Sequence, residues 1–187
     1  MTIVFAFLAA LTVQTSPTPT PQDGPIATAS NTAETPAQLR LREALAYSNP
    51  MPRGAPDRDY TLVAWCDALV TGHADLGETL TDRAPEDVEL VRLGRLEEQD
   101  FRSALAAAEP RQTAAAKAAA QQAAAAVKAQ WAPLLASEDE AARSQSFGLF
   151  YGLPGRCEHA ARRIRNNITT PPATPAEVGL EAPAPAN

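Results

Sequence analysis

Aromatic residues are scarce in this 187-residue chain, at 5%, although hydrophobic residues make up 45% of it. The apolar content is therefore mostly alanine, which favours helix strongly and fills little volume. Val, Ile, Thr, Tyr and Phe nowhere gather into alternating runs bounded by turn residues, so almost no strand is expected. Lysine is nearly missing too, since of 16 basic residues only Lys117 and Lys128 are lysines. That arginine bias, beside heavy Ala and Pro usage, is what a GC-rich bacterial coding sequence produces. A surplus of positive charge is also lacking. The net charge is -6 and the sequence pI about 4.9, which excludes the basic footprint that nucleic acid requires, and no nucleic-acid partner is expected. Asp23, Glu34, Glu177 and Glu181 lie outside residues 37–168, so that span holds 18 acidic residues against 16 basic ones and is nearly neutral.

Long hydrophobic runs are limited to one. Ile3 to Val13 is an 11-residue stretch that is apolar except for Thr12 and is followed by Gln14, Thr15 and Ser16. At about 1.5 Å per residue it reaches roughly half of a 30 Å hydrocarbon core, too short for a stable membrane span and the right length for the apolar part of a signal peptide. Export to the periplasm or beyond follows as the expectation, with residues 1–15 as the signal-like segment and no stable transmembrane insertion after processing. Met1-Thr2 supplies only the terminal amine as positive charge, and no Cys lies near the end of the run to take a lipid anchor.

Residues 16–35 hold four prolines among many Thr, Ala and Ser, and Thr170 to Asn187 holds five. Neither composition buries enough apolar surface to offset the entropy of ordering, so 16–35 reads as a disordered linker and 169–187 as a disordered tail. Between them, 36–168 reads as one all-α domain, a bundle of about five to six helices. Thr35-Pro36-Ala37-Gln38 is a capping box with Pro at the first helical position. Asp59 to Leu80 is the organising helix, with Leu62, Trp65, Cys66, Leu69, Val70, His73, Leu76 and Leu80 at the spacing of one face, and Asp57 or Asp59 as its cap. Val88 to Ala108 is expected to bury Leu90, Leu93, Phe101, Ala104, Leu105 and Ala108 and to solvate Glu97, Glu98 and Asp100. Of the 19 residues from Ala114 to Ala132, 12 are alanine, giving a helix that Trp131 anchors before Pro133. Ser137 to Glu140 is a second capping box opening a helix through Phe147, Leu149, Phe150 and Tyr151. Gly148 and Gly152 fall four apart, the spacing of a close helix approach. The last helix, Gly155 to Ile168, places Arg162, Arg163 and Arg165 near its C-terminus, where cations oppose the dipole favourably and read as solvated.

The stretches DYTLVAWC and GLPGRCEHA resemble an uncharacterised group of exported helical proteins from Gram-negative bacteria. The resemblance covers the two cysteine-bearing helices and implies no activity and no site.

Two cysteines, Cys66 and Cys157, in an exported chain most simply pair in an oxidising compartment. Buried free thiols are one rival, and a metal or haem site built from Cys66, His73, Cys157 and His159 is another, although Cys157 and His159 are two apart and point differently on a helix. His73 with Asp75, and His159 with Glu158, do not face each other at helical spacing and make poor acid-base partners. No nucleophile elbow, phosphate loop, zinc-protease helix or dinucleotide fingerprint occurs, so no catalytic residue, cofactor or resident metal is expected. The leading expectation is a non-enzymatic periplasmic module that binds another protein of the envelope. A small-ligand or metal carrier with a pocket near Trp65, His73 and Tyr151 is the alternative, and an enzyme with an unrecognised site is the third reading.

Overall fold

The computed structural model describes residues 34–150 and 152–180. Among them are six helices and no strand: α1 (Pro36–Ser48), α2 (Asp59–Thr79), α3 (Pro85–Ala108), α4 (Ala114–Leu135), α5 (Glu140–Gly148) and α6 (Arg156–Arg165). Short 3-10 turns at Glu109–Arg111 and Ala176–Val178 complete the order. The signal-like segment, most of the linker, the end of the tail and Tyr151 lie outside the described residues.

Helix α2 organises the bundle, with α3, α4, α5 and α6 all packed on it. It is buried nearly all round and not along one stripe, because Val63, Ala64, Ala68, Gly72, Ala74 and Gly77 join the expected face. Small residues make this possible. A Cβ on Gly72 would overlap the Trp131 ring of α4, and one on Gly77 would come within 2.5 Å of Phe147 and Val91. These two glycines let α4 and α5 reach the α2 backbone, whereas the expected pair Gly148 and Gly152 meets open space. The main core gathers Leu62, Val63, Trp65, Cys66, Val70, Phe101 and Val127, and a second cluster joins Leu76, Leu80, Val91 and Phe147, with Trp131 against both.

Cys66 and Cys157 form a disulfide linking α2 to α6, with Cα atoms 6.0 Å apart and both residues buried. The bond consumes both thiols, which removes the free-thiol reading and the thiolate-ligated metal site.

Helix starts follow local chemistry in part. Thr35 caps α1 as a capping box, its hydroxyl accepting from Gln38 N at 3.2 Å while Gln38 Oε1 accepts from Thr35 N at 2.9 Å. Two expected caps differ. Arg58 sits at the N-cap of α2 with no side-chain bond, because the Asp59 carboxylate instead accepts from Tyr47 Oη at 2.7 Å and Arg163 Nε at 3.0 Å. At α5 the cap is Asp139, accepting from Ala142 N at 3.0 Å, and Glu140 turns to Thr81 N at 2.7 Å, tying the α2–α3 connection to α5. That helix stops at Gly148, before Phe150. Helix α4 runs past Pro133 to Leu135, so the expected break at that proline does not occur.

Three burial expectations are corrected. On α3 the buried stripe is Val91, Gly94, Glu98, Phe101, Ala104 and Ala108, while Leu90 and Leu93 stay half exposed at 49% and 45%. Glu98 is buried against the guanidinium groups of Arg95, at 2.8 Å, and Arg102. Arg163 is only 5% exposed and bonds to Glu43 and Asp59, so it is an internal clamp and not a solvated helix end. Residues 169–180, expected in the unstructured tail, carry a buried Ala173, offer the Thr170 carbonyl to Arg163, and set Ala176–Val178 against α1.

Candidate functional site

His73 is a buried polar side chain that lines an open groove between aromatic and leucine side chains. It projects from α2 about four turns after its start and lies between two phenylalanine rings, Phe147 and Phe150, each 4.3 Å away and stacked at 5° and 24°. Its Nε2 stands 3.1 Å from the Phe147 carbonyl oxygen, which can only accept, so Nε2 carries the proton. Burial pushes the imidazole below its ordinary value, with the Phe147 carbonyl pulling partly back, and the ring is neutral at pH 7.

The groove in front of it measures about 340 Å³ and is lined by Val70, His73, Leu90, Leu93, Gly94, Glu97, Phe150 and Gly152. One wall is the flank of α3, where Leu90, Leu93 and Glu97 fall at positions i, i+3 and i+7 of one face. The other wall is the connection from α5 to α6. Phe150 leaves the helix there, so its ring can fold back onto His73, and Gly152 at φ +94° turns the chain away again. Glu97 closes one end. Burial, and then the nearby Glu158 carboxylate, push its carboxyl above the usual range.

Of the three pocket residues expected from the sequence, only His73 is at the groove. Trp65 lies about two turns away along α2, inside the main core beside Cys66. Tyr151 falls outside the described residues, and its neighbour Phe150 provides the aromatic wall. Leu90 and Leu93 were legible as apolar but assigned to the core. Gly94 faces Val70 and Ala74 of α2, where a Cβ would make only ordinary contact at 3.5 Å, so no single residue in the sequence separates the two registers. His159, the other histidine, is buried on α6, and its imidazole is pushed down chiefly by burial. It does not join His73 in one site.

No cluster of three or more His, Cys, Asp or Glu side chains with metal-binding geometry occurs among the described residues. No helix among them is long and apolar enough to cross a membrane. Chemically the groove offers apolar walls, a neutral ring and one carboxyl, which suits the insertion of side chains more than bond making.

No family model, curated protein or solved structure matches this chain.

Proposed function

We propose that this protein is an exported, non-catalytic helical module that works by binding another protein of the envelope through the groove beside His73. The observation that carries the reading is that Leu90 and Leu93, two of the four large apolar side chains left about half exposed on α3, both line this groove. A soluble domain seldom leaves neighbouring leucines at the lip of an aromatic-floored groove without using them. Both histidines are engaged in packing, and the disulfide fits an oxidising compartment. A groove of about 340 Å³ lies at the low end of the roughly 300–1,000 Å³ typical of ligand sites and stays open along its α3 lip, which favours a partner's side chains over an enclosed small molecule.

The test is a photo-crosslinking amino acid placed at Leu93 in the native host. A discrete adduct with one envelope protein, absent when the same probe stands at exposed Ala118, is the expected result. Adducts with none, or equal adducts from both positions, would overturn the proposal.

A further inference from the structure

Carboxylates on and around α3 are almost all matched. Glu89 pairs with Arg92 at 2.6 Å, Asp75 and Glu78 with Arg95 at 2.7 Å each, and Asp100 with Arg165 at 2.6 Å. Glu98 holds both Arg95 and Arg102, Asp87 caps the start of α3 at Ala84 N, and Glu158 takes Arg42 at 2.5 Å. Glu97 has no cation among the described residues, and it is the one carboxylate that lines the groove. It stands one turn beyond Leu93, while its neighbour Glu158 adds negative potential and no compensation. The groove is thus apolar along its length and anionic at one end.

From Leu90 to Glu97 the lip rises about 10 Å, two turns of helix. That length matches a short amphipathic helix that inserts two apolar side chains from successive turns and carries a cation one turn further on. We propose that the occupant of the groove is a basic amphipathic helical segment of the partner protein, its apolar face on Leu90, Leu93 and Phe150 and a Lys or Arg against Glu97. The inference rests on the groove being a protein-binding site and adds the chemistry of what enters it. Glu97 would gain a counter-charge at the groove's end, and the partner's apolar face would cover the exposed leucines.

Three labelled peptides of roughly 14 residues, about four turns, with leucines at one helical face and the remaining positions Lys, Gln or Glu, are titrated against the whole protein by fluorescence anisotropy. The Lys peptide is expected to bind tightest and to weaken as salt rises. Glu97→Gln should weaken it by about threefold, the scale of an exposed ion pair, and reduce the salt dependence. Leu93→Ser should weaken it by about tenfold or more, the scale of one buried leucine. Both positions are exposed enough that unfolding curves should match wild type, which separates lost binding from lost fold. Equal or better binding of the Gln or Glu peptide, still sensitive to Leu93→Ser, would overturn the basic segment and leave the groove standing. Binding indifferent to Leu93→Ser, or no binding of any peptide, would overturn the inference, and the crosslinking result at Leu93 then decides the groove separately.

Discussion

Single atoms decide several features of this molecule, and Gly72 is the sharpest case. Its missing Cβ is the space that the Trp131 ring occupies. Gly72→Ala should therefore destabilise the protein by about 1–3 kcal/mol, the cost of overpacking, read as a lower urea midpoint. Gly148→Ala, which meets nothing, should be neutral or raise stability by about 0.5–1 kcal/mol. Equal effects at the two positions would contradict the packing described. His73 gives a second prediction at this scale. The unfolded chain takes up a proton near pH 6.5, whereas the buried ring stays neutral to lower pH, so below about 6.5 the unfolded state binds more protons and stability falls. Above that pH the contribution is fully present. His159 acts in the same direction, while Asp67 and Glu97, raised by burial, act in the opposite sense. Comparing urea midpoints at pH 7.5 and 5 for wild type and His73→Phe isolates the ring, and the variant should lose less stability on acidification. At this scale the sequence was legible where a residue had one apolar face to choose, as at Phe101 and Val70. It was ambiguous where Leu90 and Val91, or Leu93 and Gly94, offered two registers, because periodicity alone does not choose between adjacent faces of one helix.

Helices were readable from composition and punctuation, and their interactions were not. The capping box at Thr35 and the alanine run of α4 announce themselves locally. Asp59 fails as a cap because a partner 104 residues away, Arg163, competes for its carboxylate at 3.0 Å. That competition builds a buried network of Glu43, Tyr47, Asp59 and Arg163 joining α1, α2 and α6. Burial and the Asp59 carboxylate together raise the Tyr47 hydroxyl far above its ordinary value, so it remains a proton donor throughout the working range. Arg163→Ala should cost about 1–3 kcal/mol, because Asp59 loses its cation while Glu43 keeps Arg162 at 2.9 Å, and exposed Arg92→Ala should cost under about 1 kcal/mol. Thermal unfolding of both variants checks the contrast, and similar losses would mean that Arg163 does not hold the elements together.

At the scale of the molecule the disulfide dominates. Bridging residues 91 apart is worth roughly 4–5 kcal/mol in the chain-entropy account, comparable to a domain's whole stability of about 5–15 kcal/mol. Cys66→Ser and Cys157→Ser should each lower the melting temperature strongly, and the double variant should lose little more than either single one. Fully additive losses would show that the two cysteines act separately. The pairing could be anticipated from an even cysteine count, and the helical architecture from alanine and the absence of alternating runs. The stretch 169–180 could not, because its prolines and small residues carry no apolar periodicity and its order comes from the surface of α1 and the grip of Arg163. Limited proteolysis should accordingly leave a resistant fragment that ends nearer Leu180 than Ile168.

The bond between α2 and α6 also makes a ring of residues 66–157, while α1 and the 176–178 turn, which belong to the two arms leaving that ring, rest on each other. A backbone cut within the ring, for instance at the exposed Glu138–Asp139 corner between α4 and α5, would leave one covalent molecule with two new ends. On a gel such nicked protein would run as a single species until a reductant is added and then separate into two pieces. The same topology makes that corner a place to open the chain deliberately, with a short linker joining the two original arms into a circular permutant.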